Sequence, residues 1–265
     1  MTSGDTEPSS AADESVITRR VGAVAVVTLN RERRRNGVTI EMCEQLHLRL
    51  SEIASSDAKV VVIRGSGNDF SVGADLTEDS AARGPSTLER LGHTYHASTL
   101  LHSMPQVTIA AIDGACAGAA MGWACACDFR FASTRARFKT AFLDVGVSGD
   151  MGLAWSLIRI VGGARARELL LFPEKISAEA AHDLDLVTRL FAPESLHDRV
   201  MGLAEELAAR HSFPLRMMKA NLISAETADM PSYVDIESAR HLHTATGPSL
   251  VAGIESFRRR STPSP

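Results

Sequence analysis

Three short stretches carry the residues whose types and spacing can do chemistry. Two of them, "NDFSVGADL" (68–76) and "DGACAGAAMG" (113–122), offer backbone rather than side chains. Gly73 lets the chain turn closely, and Ala74 leaves its N–H unobstructed near an expected helix start. Gly118, Ala119 and Ala120 have almost no side chain, so a ligand can approach the first turn of the helix expected there. Two convergent N–H donors, one at a helix terminus, suit an anionic oxygen: an enolate, or the oxyanion formed by attack on a carbonyl. Each such donor contributes about 3 kcal/mol where the charge develops. Gly/Ala-rich turns also serve tight packing alone, so both readings stand at this level.

The third stretch, "FLDVGVSGDMG" (142–152), carries a carboxylate. Asp150 follows Gly149 and precedes the apolar run "LAWSLIRIVG". It is expected either to cap that helix, accepting from the N–H of Gly152 or Leu153, or to face a pocket as its ionisable group; the two do not exclude each other. Among apolar neighbours such as Met121, Phe142 and Met151, desolvation raises its pKa while the helix N-terminus opposes the rise. Asp144 reads as a surface residue. His93 and His96 stand three apart on one helical face beside Tyr95 and have the pKa to activate water. They read equally as solvated or core-edge histidines. No acidic partner motif supports a metal there, and no metal site is expected. His47, His182, His197, His211, His241 and His243 are less specific still.

The elements that must position these residues follow from periodicity. Strand-like runs appear at 23–29, 59–65, 107–112 and 128–133, with helical patterns between them at 39–54, about 88–103 and 117–126. Such alternation implies an α/β fold of repeated βα crossovers with the sheet covered on its faces. Thr39 is an expected N-cap. Beyond residue 152 helical patterns dominate, at 152–161, 163–172, 177–183, 195–210, 214–226 and 249–259. The division expected is a tail over 1–14, an α/β core over 15–195, a C-terminal helical region over 196–260 and a frayed end over 261–265.

Composition narrows the function classes. The 265 residues are 45% hydrophobic and 23% charged, with a net charge of -4, which argues against a nucleic-acid partner. Cys43, Cys116, Cys125 and Cys127 have no disulfide or metal-ligand spacing and read as buried thiols in a reducing, cytoplasmic setting. The apolar span 107–127 is broken by Asp113 and reads as two buried elements rather than a membrane helix.

Several stretches together resemble the crotonase (enoyl-CoA hydratase/isomerase) superfamily. They are "VAVVTLNRERRRNGVT", "FSVGADL", "IDGACAGAAMGWACACDFRFAS", "ARFKTAFLDVGV" and "IVGGARARELLLFPEKISAEAAHDLDLV", spread over about 15–260. The resemblance implies a spiral core of repeated ββα units with C-terminal helices building homotrimers, often paired as homohexamers. It implies an acyl-CoA substrate, with coenzyme A as part of the thioester and no separate cofactor. The thioester oxygen would lie between the N–H groups of Ala74 and Ala119, with Gly118, Met121, Gly122, Phe142 and Met151 lining the acyl site. Arg31 or Arg33 would lie near the nucleotide, and Phe257 would approach the adenine from a neighbouring subunit. Family hydratases use two glutamates, and here those positions are Gly122 and Phe142. The chain is also similar to 4-chlorobenzoyl-CoA dehalogenases across "GVSGDMGLAWSLIRIVG", where the nucleophilic aspartate falls on Asp150, the cage tryptophan on Phe142, and the helper histidine on His93 or His96. The expectation is therefore an atypical lyase or isomerase using Asp150 as acid/base or nucleophile. A hydrolytic dehalogenase or C–C bond hydrolase, and a thioester-binding protein without catalysis, are the alternatives.

Overall fold

The computed structural model describes residues 14–77, 92 and 94–261. Residues 1–13 and 262–265, nearly all of the two expected tails, lie outside the described residues, as do 78–91 and 93. The chain opens with β1 (Val16–Val21) and β2 (Val24–Leu29), an antiparallel hairpin turned at Gly22, whose φ is 55°. Helix α1 (Ile40–Ala54) starts where Thr39 accepts a hydrogen bond from the Met42 N–H at 3.1 Å, as expected of that cap. Then follow β3 (Val60–Gly65), α2 (Ala97–Ser103), β4 (Val107–Ile112), β5 (Ala115–Ala117) and α3 (Gly118–Ala126). The apolar span 107–127 is thus two strands and a nine-residue helix, and no described helix is long and apolar enough to cross a membrane.

The second half contains β6 (Phe129–Ser133), β7 (Arg137–Lys139), α4 (Leu153–Leu171), β8 (Ile176–Ser177), α5 (Ala178–Asp183) and β9 (Arg189–Phe191). Gly162, at φ 76° and ψ 160°, breaks α4 into the two helical runs the sequence pattern predicts. The C-terminal helices are α6 (Leu196–Ala208), α7 (Ser212–Ala225), α8 (Met230–Ala245) and α9 (Pro248–Ser261). Sequence periodicity alone misses β1, β5, β7, β8, β9 and α8.

Six strands form one sheet in the order β1-β2-β3-β4-β6-β9, parallel except for the first pair. A second layer runs beside it as β5-β7-β8, extended by the parallel bridges Ser71–Cys116 and Val38–Ala74. Each turn of the chain lays one strand in the large sheet, a short segment in the second layer, then a helix. The repeats are β2, residue 38 and α1; β3, residues 71–74 and α2; β4, β5 and α3; β6, β7 and α4. The repeated ββα unit is the expected architecture.

Alternation on the central strands divides the core between two faces. Ala25, Val27, Val61, Ile63, Ala110 and Ile112 face the second layer and helices α1 to α4. Val24, Val26, Val60, Val62, Val107 and Ile109 face α6, whose Leu196, Val200 and Ala204 cover them. Helix α7 is fastened to the same body by a buried lysine. Lys219 Nζ lies 2.8 Å from the Asp128 carboxylate and donates to the Gln106 carbonyl at 2.7 Å. Helix α8 has no buried residue.

Candidate active site

The two backbone-bearing turns come together through the second layer. At the Val38–Ala74 bridge, the Val38 N–H donates to the Gly73 carbonyl (2.8 Å) and the Asp75 N–H to the Val38 carbonyl (2.9 Å). A residue bracketed this way in a parallel ladder turns its own N–H to the opposite side. The Ala74 N–H therefore points away from Val38. Gly73 (φ 87°) and Gly118 (φ 50°) let the two turns touch: a Cβ on Gly73 would stand 3.0 Å from the Ala117 carbonyl oxygen, and one on Gly118 3.8 Å from Gly73 Cα. Ala119 is the second residue of α3, so its N–H has no partner inside the helix. All nine residues of α3 are buried, so its N-terminal dipole acts with little water to screen it.

These turns are braced by polar side chains. Ser71 Oγ donates to the Asn36 carbonyl at 2.6 Å and accepts from the Gly73 N–H at 3.2 Å. Asp69 accepts from the Ala115 N–H at 2.7 Å while Arg35 grips it with two nitrogens, at 2.7 and 3.1 Å. Asn36 is fully buried at φ 54°, and its amide donates to the carbonyls of Ser66 and Asp69. It was not among the residues expected from sequence, although an asparagine tolerates left-handed backbone well. Arg31 turns inward: it donates to the Gly37 carbonyl and pairs with the buried Asp75 at 2.9 Å. The Thr77 hydroxyl, with help from Arg31, holds the Asp75 carboxyl below the usual carboxylate range. Arg33 stays exposed on the turn Glu32–Arg34, and Phe257 lies on α9 with its side chain outside the described residues.

The carboxylate loop is built differently. Gly149, Met151 and Gly152 all have positive φ, at 109°, 51° and 68°. This backbone carries the Asp150 side chain off the helix end. The Asp150 carbonyl accepts from the Leu153 N–H at 3.1 Å, while Gly152 occupies the N-cap position without a side-chain cap bond. The capping role expected of the Asp150 side chain is therefore corrected. Its Oδ1 is buried and has no hydrogen-bond partner among the described residues, and burial pushes its pKa up to about 6. The opposing pull expected from the helix terminus does not offset this.

Phe142 and Met151 flank the loop. The Phe142 ring packs under Gly149, 3.5 Å from where a Cβ would stand, and Met151 lies against Gly122 of α3. Met121 is buried in the same core cluster. Two further residues sense the Asp150 charge. After burial itself, that charge is the next cause raising the Cys43 thiol to about 12 and raising the Tyr95 phenol. Neither was singled out from sequence, because α1 and the turn Thr94–His96 meet Asp150 only through the fold.

Of the two histidines expected beside it, only His96 falls among the described residues. His96 is exposed, with Nδ1 3.1 Å from the Thr99 hydroxyl, and makes no hydrogen bond to Asp150. His93 lies outside the described residues. Asp144 pairs with Lys139 at 2.6 Å on the surface, as its sequence setting predicts.

The arrangement brings two small-residue turns into contact at the start of a buried helix, with one desolvated carboxylate on a loop packed against that helix. The family model described as enoyl-CoA hydratase/isomerase matches residues 19–264. The chain is 29% identical to 1,2-epoxyphenylacetyl-CoA isomerase of Escherichia coli K12, over 94% of this chain and 97% of that one. It is 27% identical to 4-chlorobenzoyl coenzyme A dehalogenase-2 of an Arthrobacter species, over 95% and 93%. A crystal structure of a protein assigned as an enoyl-CoA hydratase from Thermobifida fusca YX, in complex with acetoacetyl-CoA, superposes with a TM-score of 0.81 at 29% identity, covering 87% of this chain and 94% of that one.

Proposed function

The chain belongs to the enoyl-CoA hydratase/isomerase family, and from that premise we propose that it moves a proton within an acyl-CoA thioester, using one carboxylate. The thioester oxygen sits between the N–H groups of Ala74 and Ala119. Asp150 takes a proton from the carbon chain, the two amides hold the resulting enolate oxygen, and Asp150 returns the proton to another carbon. Double-bond isomerisation of this kind consumes no water and leaves the net proton count unchanged, so one acid/base group suffices. Adding water needs a second group. Gly122 and Phe142, at the positions where the resemblance puts hydratase glutamates, offer none.

The observation that carries the reading is the state of Asp150. A carboxyl with an unpartnered buried oxygen and a pKa of about 6 both accepts and releases a proton near neutrality. A nucleophile would be better served by a carboxylate held ionised by donors. Arg33 is assigned to the nucleotide end, because Arg31 is engaged by Asp75. The exposed apolar residues of α7 to α9, among them Met218, Leu222, Val234, Leu242 and Val251, support burial against further copies in a homotrimer or homohexamer.

The test offers a 3-enoyl-CoA and a 4-chlorobenzoyl-CoA to the wild-type protein and to Asp150→Asn. Isomerisation of the enoyl thioester, with deuterium uptake from heavy water and loss of both in Asp150→Asn, is expected. Chloride release by the wild type would favour the nucleophile instead. Full turnover in Asp150→Asn would remove this aspartate from the chemistry.

A further inference from the structure

We infer that the contact between Gly122 and Met151 positions the Asp150 carboxylate, and that Gly122 is present to allow that contact; the inference rests on Asp150 being the proton carrier. Gly122 lies in the middle of α3, where a glycine costs about 1 kcal/mol relative to alanine. Its φ is not in the left-handed region, so backbone conformation does not call for glycine there. Space does. A Cβ at this position would stand 2.6 Å from Met151 Cβ and 3.1 Å from the Met151 carbonyl oxygen.

The approach happens beside the amides. Gly122 is three residues after Ala119, and residues so spaced share one helix face. Met151, resting on Gly122, therefore brings the preceding Asp150 onto the face that begins at the Ala119 N–H. Around Asp150 the described backbone bonds are short-range, from the Leu153 N–H to the Asp150 carbonyl and from the Ser156 N–H to the Gly152 carbonyl. Gly152 has nothing within 4 Å of a would-be Cβ. On either side of Asp150 the loop makes a close contact, the Phe142 ring under Gly149 and Gly122 under Met151, and Met151 itself is buried in the core cluster. Met151 stands at φ 51°, a conformation that costs a non-glycine residue about 1 kcal/mol.

Three variants test this: Gly122→Ala, Met151→Gly, and the two combined. The readouts are kcat and KM for proton exchange on a 3-enoyl-CoA in heavy water, and the Asp150 carboxyl titration followed by 13C NMR without substrate. Gly122→Ala is expected to lower kcat about 100-fold, as a displacement of about 1 Å does, with KM changed less than about threefold. Its Asp150 titration should fall from about 6 toward the ordinary carboxylate range as water enters. The double variant removes the colliding Met151 Cβ and should regain at least about tenfold in kcat over Gly122→Ala, with the titration moving back up. Unchanged kcat and titration in Gly122→Ala overturns the inference, as does a double variant no better than the single one. If Gly122→Ala does not fold, the double variant decides: folded and active supports the inference, unfolded or inactive overturns it. Turnover that survives in Asp150→Asn defeats the underlying proton-carrier reading. Loss in Asp150→Asn without loss in Gly122→Ala defeats the positioning role alone.

Discussion

The amide turns and the carboxylate loop meet at one helix, yet they are held by different physics. Gly73–Ala74 and Ala117–Ala119 are locked by ladder bonds at Val38 and Ser71 and by the side chains of Asn36, Ser71 and Asp69. The loop around Asp150 packs against Phe142 and Gly122, has positive φ at Gly149, Met151 and Gly152, and carries the local bond from the Leu153 N–H to the Asp150 carbonyl. Hydrogen bonds fix direction, which two donors converging on one oxygen require. Steric contact fixes location but leaves the carboxylate without a partner, and that keeps its proton exchangeable. Under the proposed mechanism, one region serves by its fixed geometry and the other by its exchangeable proton.

Four experiments would break or sharpen this contrast. The largest effect is expected from Asp150→Asn, with kcat down about 1,000-fold and thioester affinity by calorimetry nearly unchanged. Loss of affinity instead would mean that the two regions are not separable. Next, Gly73→Ala strikes the amide side: the φ of 87° is closed to alanine and the Ala117 carbonyl stands 3.0 Å from its Cβ. It should lower kcat about 100-fold, as loss of one oxyanion donor does, and weaken thioester binding with it.

The third is a pH experiment. Catalysis by ionised Asp150 should rise about tenfold from pH 5 to pH 7. Stability should run the other way. The folded-state pKa of about 6 lies above the ordinary 3.8, so the folded chain binds this proton more tightly than the unfolded chain. The contribution is full below about pH 4 and is lost as pH rises through 6. Thermal unfolding at pH 4.5 and 7.5 should show that Asp150→Asn removes this slope, and a slope that persists would assign it elsewhere. The smallest effect is expected from Asp144→Asn, which breaks an exposed pair with Lys139 worth about 0–1 kcal/mol and should leave turnover within about twofold. A large loss there would extend the reactive region across the whole loop.

Much of the scaffold was legible because it rests on periodicity and caps. The central strands are β-branched runs, α1 begins at Thr39 as an N-cap should, and Gly162–Gly163 announces the break in α4. The two small-residue turns were legible as close-packed backbone, which their contact at Gly73 and Gly118 matches. The second layer was not, because bridges of one to three residues carry no period. Strand β1 was diluted by Arg19 and Arg20 on an exposed edge. Helix α8 has no buried face to generate a pattern, although Asp229, which accepts from the Ser232 N–H, and the proline after Met230 marked its start. The capping role of Asp150 failed for a local reason: Met151 and Gly152 both take positive φ, which leaves Gly152 at the N-cap, and nothing in "GDMG" says that Gly122 is the neighbour.

The four cysteines add a consequence of their own. All are free and buried, and burial raises their thiols well above the usual range. A thiol that is neither exposed nor ionised is silent toward alkylating reagents until the surrounding structure opens. Cys43 lies within reach of the Asp150 charge, and Cys116 is bridged to Ser71 beneath the amide turns. The natural sequence thus carries a separate chemical clock in each region, and mapping which cysteine is alkylated first would time the opening of one against the other without altering a single residue.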